Sequence, residues 1–246
     1  RRARRDRSGV SGAGEPTQIG RLDADAEDDV ANHPIRPADD PITAVVVSPH
    51  DPSTRVDHPR VAVVGATADA DEAVGLVLDH VPDVVVLDGS LGYDHVREAC
   101  RRTHAASPAS RVTVLAPRDD EHAYATLVAG AVAVIVTTDP AALEPRSLGR
   151  ALAGIARGES LLTCRTAARL LHDVDAWSAR STDPLHPAPT LTATEREVLG
   201  RIAEGHRPAD IAADHDVTAR LVNIHTGYAV AKLQRYVVGA ERLAVD

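Results

Sequence analysis

Asp88 closes an apolar run at 83–87, where a carboxylate is well placed for chemistry. A carboxylate at a strand end is reactive only when a cation or strong donors surround it; otherwise it is a solvated or capping group. The pairs His50-Asp51 and Asp57-His58 combine metal-ligating types, but no recognised ligand spacing joins them and they read as exposed turn residues. Cys100 and Cys164 make no metal pattern and are expected to be buried thiols. No phosphate-cradling glycine loop, nucleophile elbow or zinc-hydrolase motif occurs. The chain is therefore expected not to be an enzyme and to use no cofactor or metal.

Asp88 needs a scaffold, and the flanking pattern supplies one. Residues 42–47, 60–64, 83–87, 111–115 and 132–136 are short, largely apolar runs of the kind that form strands buried on both faces of a parallel sheet. Helical segments are expected near 69–80, 94–104, 119–129, 146–157 and 163–172. This alternation predicts a doubly wound α/β domain, with functional groups at the carboxyl ends of the strands. Residues 175–189, rich in Ser, Pro and Asp, read as a linker.

The remaining block reads as all-helical. Thr192 or Thr194 can cap a helix carrying Val198, Leu199, Ile202 and Ala203 that ends near Gly205. Pro208 suits the first turn of a short helix containing Ile211 and Ala212. Thr218 can cap a third helix to about Leu233, with Val222, His225, Ala229 and Leu233 on one face. His225, on the inward edge, is expected to make a buried hydrogen bond. A short helix, a turn and a longer helix make a helix-turn-helix. The expected limits are 1–40 for a disordered tail, 41–173 for the α/β domain, 174–189 for a linker and 190–246 for the helix-turn-helix domain.

Composition narrows the function. Apolar residues make up 43% of the 246, but aromatics only 2% with no Phe, so the cores must be aliphatic. A net charge of −9 excludes a globally basic nucleic-acid coat, so any DNA contact must come from a local surface. No apolar run reaches the roughly 18 residues of a membrane span, and no apolar stretch follows the cluster Arg1-Arg2-Ala3-Arg4-Arg5 as an export signal requires. A cytoplasmic location is expected. Residues 1–40 lack hydrophobic periodicity and turn acidic at Asp23, Asp25, Glu27, Asp28 and Asp29, the pattern of a solvated tail, with a DNA-touching basic arm as the alternative. The sequence does not begin with Met, which leaves open whether the native N-terminus is present.

The C-terminal block resembles the LuxR/NarL-type DNA-binding domain. The resemblance rests on Leu191-Thr192-Ala193-Thr194-Glu195-Arg196-Glu197-Val198-Leu199, then Ala203-Glu204-Gly205, Asp210-Ile211-Ala212, Thr218, Val222-Asn223-Ile224-His225 and Lys232-Leu233. The upstream block is similar to the flavodoxin-type receiver domain that accompanies this module. There Pro82-Asp83-Val84-Val85-Val86-Leu87-Asp88 matches the phosphoacceptor strand, Ala129-Gly130-Ala131 the fourth-helix and fifth-strand junction, and Ala156-Arg157-Gly158-Glu159 the stretch before the interdomain helix. Together they imply a NarL-type response regulator covering about residues 42–243.

The resemblance makes Asp88 the candidate phosphoacceptor. Receiver chemistry also needs an acidic pair that helps hold Mg²⁺, a hydroxyl after the fourth strand and a lysine after the fifth. Those positions carry Ser48-Pro49, Ala116 and Thr137, and residues 42–172 contain no lysine. The usual first receiver helix is also expected to be truncated or absent. A degenerate receiver is therefore expected, serving dimerisation or responding to a protein or small-molecule signal.

For DNA, the resemblance places Asn223, Ile224 and Gly227 in the major groove. Asn can read adenine and Ile a thymine methyl, while Gly227 costs the helix about 1 kcal/mol relative to Ala. Thr218, Arg220, Tyr228, Lys232 and Arg235 are expected to meet phosphates. Residues 191–246 carry 7 basic and 8 acidic side chains, close to neutral. The expected function is a DNA-binding transcriptional regulator, homodimeric on double-stranded DNA and controlled without aspartyl phosphorylation. Two alternatives stay open: a response regulator phosphorylated on Asp88, and a protein-binding adaptor that does not bind DNA.

Overall fold

A computed structural model of the chain describes residues 41–117, 121–180 and 187–243, with side chains to Val237. A parallel five-stranded sheet in the order β2-β1-β3-β4-β5 forms the first unit. Its strands are β1 (Ile42–Val47), β2 (Val61–Thr67), β3 (Val84–Asp88), β4 (Arg111–Ala116) and β5 (Ala131–Val136). Every residue of β3 is buried, as a strand covered on both faces requires. The register sets Asp88 beside Leu115 at the carboxyl edge.

The helices cover both faces of this sheet. On one, α1 (Ala73–His80) and α2 (Tyr93–Ala106) bring Val77, Val96 and Cys100 onto Val45, Val85, Leu87 and Val112. On the other, Leu148, Leu152 and Ile155 of α4 (Pro145–Ala156) pack on Ala44, Val46, Val84 and Val86. Between them in sequence, α3 (Glu121–Val128) lies beside β4 and β5. After β1 there is only a 3-10 turn, Pro52–Thr54, in a stretch that Pro49, Pro52 and Pro59 make unsuitable for a helix. The loop instead lies directly on α4. A Cβ on Gly149 would come 2.6 Å from the His58 Cβ and 2.9 Å from the Asp57 carbonyl. The buried Arg55 guanidinium ties the same loop to the Pro140 and Ala141 carbonyls.

The helix expected at 163–172 continues as α5 (Cys164–Arg180). Ala167, Leu170 and Val174 are buried with Trp177 beside them, a helical stripe that carries the backbone past the polar residues read as linker. The expected linker of 174–189 thus begins as helix; residues 181–186, like the expected tail of 1–40, lie outside the described residues. Cys164 opens α5 and is exposed, contrary to the expectation of a buried thiol, whereas Cys100 is buried and its burial pushes the thiol pKa up.

The C-terminal unit is α6 (Ala193–Ala203), α7 (Pro208–Asp214) and α8 (Ala219–Leu243). Thr192 is the α6 cap: its hydroxyl accepts from the Glu195 N–H while the Glu195 carboxylate accepts from the Thr192 N–H. α8 runs well past Leu233, with no Pro to stop it. A single apolar core joins Tyr124, Leu127 and Val134 of the first unit to Leu170 and Val174 of α5 and to Leu199, Ile211 and Leu233 of the second. Among the described residues no helix is long and apolar enough to cross a membrane.

Candidate functional site

Asp88 is fully buried, and both carboxylate oxygens are occupied. Oδ2 accepts from the Ser48 hydroxyl at 2.7 Å, and Oδ1 accepts from the Ser90 N–H at 3.0 Å and the Ser90 hydroxyl at 2.6 Å. The carboxylate caps the 3-10 turn Gly89–Leu91, which makes it a structural acceptor at the sheet edge. Ser48 and Ala116 are buried beside the carboxyl ends of β1 and β4. Thr137 follows β5, its N–H donating to the Ala116 carbonyl and its hydroxyl to the Asp139 carbonyl. His50, Asp51 and Asp57 are exposed, and no group of three metal-ligating side chains is gathered among the described residues.

The residues expected to enter the major groove sit on α8, and the first unit covers part of that face. The chain after α4 turns at Gly158 (φ +96°) into an extended strap beside β5, where Val134 donates to the Leu161 carbonyl and the Ser160 hydroxyl to the Val132 carbonyl. The strap meets α8 directly: the Ser160 N–H donates to the Asn223 carbonyl at 3.1 Å and Asn223 Nδ2 reaches Glu159 at 3.4 Å. Arg220 lies 3.9 Å from Glu159, which also faces Arg157 at 3.5 Å. A Cβ on Gly227 would come 2.6 Å from the Gly158 carbonyl oxygen. Gly227 is thus a contact glycine: its missing side chain lets strap and helix touch, offsetting its helix penalty. Further along α8, the buried Gln234 amide donates to the Leu127 carbonyl at 3.0 Å and the Ala131 carbonyl at 2.8 Å.

The residues expected to meet phosphates divide. Thr218, Arg220 and Arg235 are exposed, and the Thr218 hydroxyl accepts from the Leu221 N–H as a helix cap. Ile224 and Tyr228 are half-buried. Lys232, expected to be available for phosphate, is instead held 2.9 Å from the buried Glu195 of the α6 capping box. His225 is buried as expected, but its Nε2 has no hydrogen-bond partner among the described residues, and burial pulls its pKa below the ordinary histidine value. Ser160 and Gln234 had no role in the sequence reading, and Glu159 entered it only as part of the stretch before the interdomain helix. The one hint of their contact was a glycine in mid-helix at 227.

Residues 189–235 match the family of bacterial regulatory proteins of the luxR type. The transcriptional regulatory protein LiaR of Bacillus subtilis is 27% identical over 179 residues, covering 71% of this chain and 80% of LiaR. The DNA-binding transcriptional activator DevR/DosR of Mycobacterium tuberculosis is 31% identical over 176 residues, covering 71% of this chain and 77% of DevR/DosR. Among solved structures, the RcsB response regulator of Salmonella typhimurium overlays on 81% of this chain and 99% of its own with a TM-score of 0.43 and 18% identity. With a parallel α/β sheet followed by a helix-turn-helix, and a relative of this similarity spanning both, the chain belongs to the NarL/LuxR-type response regulators.

Proposed function

We propose that this chain is a DNA-binding transcriptional regulator whose recognition helix is controlled by its contact with the receiver-like domain, without aspartyl phosphorylation. The observation that carries the reading is the state of Asp88, buried with both oxygens engaged by Ser48 and Ser90. A phosphoryl group would bring nearly two negative charges into this site. The residues present do not fit the Mg²⁺ that receiver chemistry employs: Ser48-Pro49 replaces the acidic pair, and the Ser48 hydroxyl donates to Asp88. The lysine and hydroxyl that would meet the phosphoryl oxygens are replaced by Thr137 and Ala116.

The protein is non-enzymatic and cytoplasmic in this reading and binds duplex DNA as a homodimer, with two helix-turn-helix units on paired half-sites. Residues 41–173 act as the receiver-like domain and 190–246 as the DNA-binding domain, joined through 174–189. The test is a pull-down of fragmented genomic DNA over a salt series with untreated protein, alongside acetyl phosphate labelling read by intact mass. Discrete two-fold-symmetric sites without any phosphoryl adduct are expected. An adduct that Asp88→Asn abolishes would replace this reading with the phosphorylated one. The partial cover over Asn223 and Gly227 also favours an adaptor that never releases α8; a folded protein that enriches no DNA at any salt would select it.

A further inference from the structure

A cavity of about 260 Å³ opens at the carboxyl edge of β3 and β4, between the first turns of α2 and α3. Tyr93 and Val96 form one wall, His122 and Thr126 another, and Ala116 and Pro117 the floor. None of the described residues that line it is a carboxylate, guanidinium or ammonium. Asp88 is not among them, because Ser48 and Ser90 hold its oxygens. The Tyr93 and His122 rings lie 4.1 Å apart at 47°, giving an aromatic side, with the Arg97 guanidinium 5.7 Å from the Tyr93 centroid. Ala116 carries only a methyl into the cavity, while Gly89 packs closely on β4, where a Cβ would come 2.5 Å from the Leu115 carbonyl and 2.9 Å from Pro117 Cδ.

We propose that this cavity is a binding site for a small uncharged aromatic molecule of one or two rings. Ligands of α/β sheets lodge outside the carboxyl ends of the strands, and an apolar cavity of about 150 Å³ already takes benzene. Among the described lining residues there is no charged group to offset the desolvation of a phosphate, carboxylate or amine, and the largely apolar lining suits an uncharged guest. The tilted Tyr93–His122 pair presents ring faces and edges to a flat guest.

The site also has a route to α8, a part of the proposal that rests on the reading of α8 as a held DNA-binding helix. His122 and Thr126 face the cavity from α3. Tyr124 and Leu127 of the same two turns lie in the core shared with the C-terminal unit, and Leu127 accepts from Gln234. A guest that shifts α3 therefore moves the acceptor that holds α8.

The experiment uses the full chain with 5-fluoroindole as probe, followed by fluorine NMR, and with DNA affinity read by anisotropy of a labelled duplex. Binding on the order of 10 µM to 1 mM is expected for a probe of about ten heavy atoms. Ala116→Leu, which fills the floor, should weaken the probe roughly 10–200-fold, and Tyr93→Ala, which removes the aromatic wall, should weaken it as well. No binding to the wild type, or equal binding to both variants, overturns the site. Probe binding that the variants lose, with the wild type's DNA affinity unchanged by saturating probe, upholds the site and overturns its coupling to α8. If Gln234→Ala also leaves DNA affinity unchanged, the fault lies with the held-helix reading rather than with the cavity.

Discussion

Gln234 joins α8 to the receiver-like domain through two buried hydrogen bonds, of 3.0 Å to the Leu127 carbonyl and 2.8 Å to the Ala131 carbonyl. Replacing it with Ala removes both donors without touching a residue expected in the groove. A neutral hydrogen bond contributes a net of about 0.5–1.5 kcal/mol, so the pair favours the docked state by roughly 1–3 kcal/mol. At about 1.4 kcal/mol per tenfold, the docked-to-released ratio falls roughly 5- to 150-fold. Where the docked form dominates, apparent DNA affinity scales with the released fraction and rises by the same factor. The change in helix propensity acts on both states and largely cancels. Anisotropy titration of a labelled duplex at low salt measures the affinity. Trp177, the chain's one tryptophan, lies 5.0 Å from Tyr236 across α5 and α8 and reports release independently. Unchanged DNA affinity and unchanged tryptophan emission, from a variant that has merely lost stability, would refute the argument and make Gln234 a fold contact only.

Further predictions concern the groups held inside. Asp88→Ala orphans the Ser48 hydroxyl and the Ser90 N–H and should cost about 1–3 kcal/mol in urea unfolding; DNA affinity that falls with it would give Asp88 a signalling role. Lys232→Ala leaves the Glu195 carboxylate, 3% exposed, without its cation. A loss of about 3 kcal/mol is expected, and a loss below about 0.5 kcal/mol would show the pair to be effectively solvated. Burial holds the His225 imidazole below its ordinary value, so the fold prefers the neutral ring. That contribution is full above the unfolded value of about 6.5 and is lost as pH falls through the lower folded value. His225→Gln should therefore lose less stability than the wild type between about pH 7.5 and 5; identical pH slopes would dismiss His225 as the titrating group.

The strands were legible because each is a short apolar run that both sheet faces can accept, and β1 matches its run from Ile42 to Val47. The end of α5 was not. Asp175 and Ser178 suggested a linker, while Val174 and Trp177 continued the Ala167–Leu170 stripe unnoticed. Thr192 could be read as a cap because its chemistry is local, with Glu195 three residues on. The contact between strap and α8 was beyond local reading, since Glu159 and Ser160 are distant in sequence from Asn223 and Ser160 meets it through backbone atoms alone. Gly227 was visible only as a helix penalty, and the Gly158 carbonyl supplies the reason. At Asp88 the residue type left two readings open, and its hydrogen bonds to Ser48 and Ser90 support the capping one.

α5 ends at Arg180 and Thr192 caps α6, so about a dozen residues tether the DNA-binding unit and span at most roughly 40 Å when fully extended. A unit on such a leash meets its docking face at an effective concentration in the millimolar range. Because that concentration is fixed by the covalent chain, dilution does not weaken docking, and making more protein does not strengthen it. Abundance then sets how many molecules are available, while in the proposed mechanism the released fraction of each responds to DNA and to whatever moves α3 or the strap. A detached receiver-like domain added in trans would have to reach millimolar levels to restrain α8 equally well.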